Sequence, residues 1–378
     1  MANNNFELKD INFGFIIEDL LGKGTVTDIE IRPNGVWITD INKGRQQLSY
    51  GDYSKEDIEE FKNVTLKMPY QLSHRMKVNF NEGDPILDGE AIYRDEQGND
   101  KGLLRINAID PSLTGSGIGI AIRLTTYDPR LSKETILKTG YASKSFLSLM
   151  EALIYSGCNT IFAGITGAGK TEALKYFARH IPINDSIITI EDTREAYLEL
   201  LYPDKDVLAL KSTEKTDFEQ LIRASLRQNP DWILVSEARG REVLELNEAV
   251  GTGHKIITTI HSDGVANIPY RMTDMAKVDG SEATRLFRQI HNNIDLGVYI
   301  HYYNDEKGSH RQVTEVAEYY LEDDGNGNQI AKQHMIYEYD FKAHKYKIDR
   351  ILSPKIIKKL TRSEADTSAM EVFLNAKH

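Results

Sequence analysis

Residues 164–171, "GITGAGKT", fit the pattern G-x-x-x-x-G-K-[ST]. Glycines at this spacing let a loop curl until backbone N–H groups converge on phosphate oxygens at a helix N-terminus. The cradle expected here consists of Gly164, Thr166, Gly167, Ala168, Gly169, Lys170, Thr171 and Glu172. Lys170 would reach the β and γ phosphates, and the Thr171 hydroxyl would bind Mg²⁺. The bland alternative is a chance glycine-rich turn. Against it, Thr160 to Ala163 reads as a strand just before the loop, and a helical pattern follows through Arg179. A nucleoside triphosphate with Mg²⁺ is the implied ligand. A guanine nucleotide is disfavoured, because the nearest approach to N-K-x-D, "AKVD" from Ala276, lacks the asparagine.

Three later strands each run into reactive side chains. "SIITI" leads to Glu191, Asp192, Arg194 and Glu195; "WILV" leads to Ser236, Glu237 and Arg239; "IITTI" leads to His261. In an open parallel sheet, ligands bind beyond the carboxyl ends of the strands. Glu237 follows four apolar residues, where a phosphate-cleaving site needs a carboxylate to polarise or deprotonate water. The acidic residue usually found just before Glu237 is absent, because Ser236 fills that place. Asp231 is no substitute, since it lies at the other end of the strand, roughly 16 Å away at the standard rise per residue. Glu191, Asp192 and Glu195 are therefore the acids expected to complete the site, with Asp192 and Glu195 joining Thr171 around the metal. His254 and His261 bracket one strand and cannot meet the same phosphate. His261 is the site residue, while His254 caps the preceding helix or meets a neighbouring domain. The helix before Glu237 is expected to start with Thr216 and Glu219 in capping-box spacing.

The elements that must position these groups change character along the chain. The first third reads as β-rich, with hairpin signals at Pro33-Asn34-Gly35 and Asn42-Lys43-Gly44, a helix over "DIEEFKNVTLKMPYQLSHRM", and strands at "LLRINAID" and "IGIAIRLT". From Tyr141 onward, short apolar runs alternate with helical segments, the pattern of βα units on a parallel sheet. The division expected is a smaller α+β domain over residues 1–130, a linker over 131–140, and an α/β P-loop domain of RecA-like type over 141–378. That last domain ends in a hairpin turning at "EDDGNGNQ" and an amphipathic helix from Pro354, whose "PKIIKKL" reads as a solvated basic face, with a docking surface as the alternative.

Composition sets limits. With 46 Lys and Arg against 57 Asp and Glu, the formal charge is −11, which disfavours general affinity for nucleic acid. Cys158 is the only cysteine, so no intrachain disulfide can form. "MANNNFELKD" lacks the features of a signal peptide, and no run approaches the length of a membrane span, so a cytoplasmic protein is expected.

Four ordered boxes, "GITGAGKT", "TIEDTREAYLE", "LRQNPDWILVSEARGRE" and "TGHKIITTIHSDG", resemble those of the ATPases of type II and type IV secretion systems. "VTDIEIRPNGVWI" and "LRINAIDPSL…GIGIAIRLT" are similar to the conjugation and type IV secretion branch, and "HRQVTEV" matches a late strand of the family. The resemblance covers roughly residues 20 to 340. It implies a hexameric ring that hydrolyses ATP held between the two domains of a subunit, with His261 contacting the γ-phosphate and Arg105 and Arg123 reaching the nucleotide from the amino-terminal domain. It also implies peripheral attachment to the membrane through inner-membrane components of a secretion, conjugation or pilus machine. The competing classes are a P-loop nucleic-acid motor and a non-hydrolysing nucleotide-dependent scaffold. Two positions depart from the family pattern. Ser236 stands where glycine is usual. Glu172 stands where a second threonine commonly follows, and its carboxylate is expected to lower nucleotide affinity without removing a catalytic group.

Overall fold

Alternating apolar and polar residues in the first third build a mainly antiparallel sheet, whereas the unbroken apolar runs of the later strands demand burial on both faces. A computed structural model describes residues 12–94, 97, 99–306, 308–349 and 352–363, together with the backbone of 6–7. It divides into two compact units. One runs to Asp128 and includes Asn304–His310; the other comprises Pro129–Tyr303 and continues from Arg311.

The first unit contains β1 (Phe6–Glu7), α1 (Gly14–Gly22), β2 (Val26–Arg32), β3 (Gly35–Asp40), β4 (Gly44–Gln47), α2 (Lys55–Met76), β5 (Ile86–Arg94), β6 (Asp100–Ile109), α3 (Pro111–Thr114) and β7 (Gly119–Thr126). Its sheet has the order β1-β5-β6-β7-β2-β3-β4. The α2 helix starts on a reciprocal cap in which Ser54 and Asp57 each accept the other's backbone N–H. Helices α1 and α2 bury Phe13, Ile16, Leu20, Phe61, Met68 and Leu72 in a core shared with the sheet's Ile29, Leu104 and Ile122.

The second unit contains α4 (Lys133–Thr139), α5 (Lys144–Tyr155), β8 (Thr160–Ala163), α6 (Lys170–Ala178), β9 (Ile187–Glu191), α7 (Leu198–Leu201), β10 (Val207–Lys211), α8 (Phe218–Leu226), β11 (Trp232–Val235), α9 (Glu242–Gly251), β12 (Lys255–Ile260), α10 (Ile268–Met275), α11 (Gly280–Asn293), β13 (Leu296–Asp305), β14 (Gly308–Asp323), β15 (Gln329–Asp340), β16 (Lys345–Ile348) and α12 (Pro354–Arg362). The stretch expected as a linker is thus helical over α4. The sheet order is β10-β9-β11-β12-β8-β13-β14-β15-β16. Strands β10, β9, β11, β12, β8 and β13 run parallel, and β14, β15 and β16 are successively antiparallel. This is the α/β architecture of the P-loop class. Strands β8 and β11 are buried along their whole length, one apolar cluster covering each face of the sheet.

Register is what builds the site. Ala163 pairs with Ile260, Thr258 with Val235, and Val235 with Ile190. Strands β8, β12, β11 and β9 therefore end at one edge, and their continuations emerge side by side.

Two local expectations are corrected. Helix α8 is capped one residue later than expected, by Asp217 with Gln220, because Thr216 is held in a backbone pairing with Thr213. The basic face of α12 is solvated only in part, at Lys358 and Arg362. Lys355 and Lys359 bind Asp295, which is fully buried, at 3.0 and 2.6 Å, while Ile356 and Leu360 enter the core.

Candidate functional site

Between β8 and α6 the loop curls as its glycines require. Gly169 caps α6 with a left-handed backbone (φ +86°), a conformation that favours glycine. At Gly164 a side chain would stand 2.7 Å from the carbonyl oxygen of Ile300, so the adjacent strand β13 leaves no room for one. The loop thus presents the N-terminus of α6, with Lys170 and Thr171 on its first turn.

Lys170 folds back over this loop. Its Nζ donates to the carbonyls of Gly164 (3.0 Å) and Ile165 (3.2 Å) and lies 3.4 Å from Nδ1 of His261. Nε2 of His261 is 2.8 Å from Oε1 of Glu237. The other Glu237 oxygen accepts from Arg239 at 2.7 Å, and Arg239 reaches Asp192 at 2.8 Å. An ammonium can only donate and a carboxylate can only accept. The neutral His261 tautomer with its proton on Nε2 is the one that satisfies both neighbours. Burial, reinforced by the Lys170 charge and opposed by Glu237, holds the His261 pKa below the usual range, in keeping with that neutral form. Burial likewise lowers the Lys170 pKa against the opposing charge of Glu237, and the hydrogen bond to Glu237 raises that of Arg239.

Lys170, Glu237 and His261 lie far apart in sequence and come into one hydrogen-bonded chain at the mouth of the loop. An open cleft of about 580 Å³ borders Ile165, Thr166 and His261 and extends to Asp263, Tyr270 and Arg271. On the other side, the Thr171 hydroxyl lies 3.4 Å from Oε2 of Glu195. Two hard oxygen donors suit Mg²⁺, which takes most of its shell from water and phosphates.

The remaining expected residues are placed differently. Glu191 is buried and accepts the backbone N–H groups of Glu195 and Ala196, so it shapes the turn that carries Glu195. Burial, opposed by those bonds, raises its pKa. Asp192 pairs with Arg239. Glu172, expected in the cradle, gives one carboxylate oxygen to the backbone N–H of Arg130 (2.8 Å) and lies 3.4 Å from Nζ of the fully buried Lys175. Arg105 and Arg123 belong to the first unit. They are cross-strand partners on β6 and β7, flanked in register by Glu90 and Asp28, and Nε of Arg123 contacts Asp28 at 2.8 Å. Like charges opposed across a sheet repel, and the flanking acids offset that. His254 caps α9, with Nδ1 3.1 Å from the carbonyl oxygen of Ala249.

Sequence reasoning passed over three side chains of β14. Arg311 donates from Nε to the Gly167 carbonyl at 2.8 Å. Glu315 accepts the Val265 N–H at 2.9 Å, and the Tyr319 hydroxyl donates to the Val265 carbonyl at 2.6 Å. The available signal was an arginine and a glutamate inside "HRQVTEVAEYY", an otherwise buried strand.

Residues 98–296, more than half of the 378, match the type II/IV secretion system protein family. An uncharacterized Bacillus anthracis protein is 28% identical over 70% of this chain, a match that spans 58% of that protein's own length. A putative conjugal transfer protein of Mycobacterium tuberculosis is 25% identical over 84% of this chain and 87% of its own. The solved structure of the Legionella pneumophila ATPase DotB aligns over 99% of this chain and 91% of that one, with a TM-score of 0.58 at 17% identity, a likeness of fold. A family match that runs from the first unit through the P-loop strand to the start of β13 makes this chain a member of the type II/IV secretion system ATPase family.

Proposed function

We propose that the protein binds ATP with Mg²⁺ at the β8–α6 loop and hydrolyses it as a hexameric motor for a secretion, conjugation or pilus-assembly machine. The observation that carries this reading is the contact chain Lys170–His261–Glu237 at the mouth of a phosphate-binding loop. An incoming γ-phosphate would take over Lys170 from the two loop carbonyls that now accept from it. Glu237 is assigned to the attacking water, whose proton it accepts, and Arg239 holds the carboxylate in place. His261, joined to both Lys170 and Glu237, responds to the phosphate and links it to the base. Thr171 and Glu195 would hold Mg²⁺, whose charge offsets that of the phosphates, with Asp192 and Glu191 acting through Arg239 and the 192–195 turn. Arg105 and Arg123 are assigned to γ-phosphate charge on the family resemblance.

Among the described residues no helix is long and apolar enough to cross a membrane. The proposed location is the cytoplasmic face of a membrane, through protein components of the machine. The net charge of −11 argues against direct work on nucleic acid.

The test is ATP binding and turnover by the whole chain beside Lys170→Ala, with mass measured with and without nucleotide. The expected result is Mg²⁺-dependent hydrolysis by the parent, a fall of at least about 10²-fold in the variant, and a six-subunit mass. A parent protein that neither binds nor is thermally stabilised by adenine nucleotides would end this reading. Binding without turnover would make it a nucleotide-dependent scaffold.

A further inference from the structure

We infer that β14 is a clamp that positions both loops of the phosphate site, Arg311 fixing the β8–α6 loop and Glu315 with Tyr319 fixing the turn after His261. The inference rests on the proposed reading of these loops as a nucleotide site. None of the three side chains is part of the Lys170–His261–Glu237 chain. Each acts through a backbone group, so each is a positioning residue.

At the first loop, the Arg311 guanidinium lies over the Tyr302 ring at 4.7 Å while its Nε–H meets the Gly167 carbonyl. In a planar trans peptide the C=O and the following N–H point in opposite directions. Anchoring the Gly167 carbonyl therefore turns the Ala168 N–H the other way, where it closes on the Ile165 carbonyl at 3.2 Å. One side-chain bond thus holds the curl of the loop. The Arg311 Cδ also fills the space beside Gly169, where an added side chain would meet it at 3.5 Å.

At the second loop, both backbone groups of Val265 are held from β14, its N–H by Glu315 and its C=O by Tyr319. Only Ser262, Asp263 and Gly264 separate this anchor from His261. The Glu315 carboxylate packs so close to Gly264 that a side chain there would stand 3.2 Å from it. Inside the turn, Ser262 donates to the Gly264 carbonyl at 2.9 Å. Because one strand carries all three side chains, a shift of β14 would move the phosphate loop and the His261 turn together.

The two halves of the clamp should separate kinetically. Arg311→Ala loosens the cradle, which ground state and transition state share, so the Kd for MgADP rises about ten-fold while kcat stays within about three-fold. Glu315→Ala loosens the His261 side, so kcat falls about ten-fold with Kd within about three-fold. Glu315→Gln keeps an oxygen that accepts from Val265 and restores kcat. If Glu315→Ala fails to fold, Tyr319→Phe keeps the ring, removes the other Val265 bond, and should lower kcat in the same sense. Hydrogen exchange on the nucleotide-free whole chain reads the clamp without catalysis. Arg311→Ala should speed exchange at residues 167–170, and Glu315→Ala at Val265, with β8 and β12 unchanged. Accelerated exchange across the whole sheet, the same kinetic parameter moved by both variants, or a Gln variant as impaired as the Ala variant would overturn the inference. Should the parent bind no nucleotide, the ATP reading falls, and the exchange pattern alone decides the clamp.

Discussion

Glu237→Gln separates chemistry from stability, because the geometry bounds each contribution. In the parent, one carboxylate oxygen faces Nε2 of His261 at 2.8 Å and the other faces Arg239 at 2.7 Å. Glutamine matches the shape but offers only one acceptor oxygen. Placed toward His261, it keeps that bond and turns its NH₂ group toward a guanidinium that can only donate, so the Arg239 contact is lost. Arg239 is largely exposed and retains Asp192. An exposed pair of this kind is worth about 0–1 kcal/mol, a shift of at most a few degrees in Tm for a domain of this size. Losing a general base costs about 10²–10⁴ in rate, or roughly 3–5 kcal/mol of barrier. The loss of turnover should therefore far exceed anything unfolding can supply. Removing a negative charge beside a polyanion leaves nucleotide affinity unchanged or modestly tighter. Steady-state hydrolysis, calorimetric binding and a thermal melt on the same sample measure all three quantities. Turnover at the parental rate would refute the assignment of Glu237 to water. A Kd weakened in step with a slower rate would show that the residue acts in binding.

Two further predictions concern the frame. Asp295 is fully buried, accepts the Asn159 N–H at 2.7 Å and holds Lys355 and Lys359 of α12. Asp295→Ala should cost about 3–5 kcal/mol in urea unfolding, and Asp295→Asn, which keeps an acceptor for Asn159, clearly less; equal losses would show that the acceptor for Asn159 contributes nothing beyond the ion pairs. Burial, with the neighbouring charges of Arg179, Lys205 and Lys133, lowers the His180 pKa from 6.5 to about 4. Between those values the unfolded chain binds the extra proton, so this contribution is present above pH 6.5 and is lost as pH falls toward 4. It amounts to roughly 3 kcal/mol in all, of which about 2 kcal/mol should disappear by pH 5. The stability of His180→Gln should fall less over that interval, and parallel curves for the two proteins would contradict the argument.

What could be read from the sequence was what depends on neighbours along the chain. The phosphate loop is contiguous, and its glycines, lysine and threonine are fixed by local backbone geometry. The buried strands announced themselves as apolar runs, and Glu237 and His261 followed because parallel strands end at one edge. Where sequence reasoning stopped short, a distant partner was responsible. Arg311 meets Gly167 from 144 positions away, and nothing near either residue says that β14 passes there. Lys355 and Lys359 read as solvated because Asp295, just before β13, lies some sixty positions earlier. The α8 cap moved by one residue because Thr216 was already paired to Thr213. Each miss is a tertiary contact overriding a local rule that is sound in isolation.

Glu172 shows the same override at the site itself. Position and type alone predict an acid on the first turn of α6 that repels phosphates. The structure supplies two partners that change the balance. One carboxylate oxygen is engaged by the Arg130 backbone, and the other lies beside Lys175, one turn along the same helix and fully buried. An ion pair projects far less field than a lone charge, so a phosphate at the loop meets the Glu172–Lys175 pair, close to neutral in sum, rather than a bare carboxylate. A threonine at this position would remove an acid that lies beside a buried ammonium and accepts the Arg130 N–H, so the position serves the packing of α6 as well as the loop.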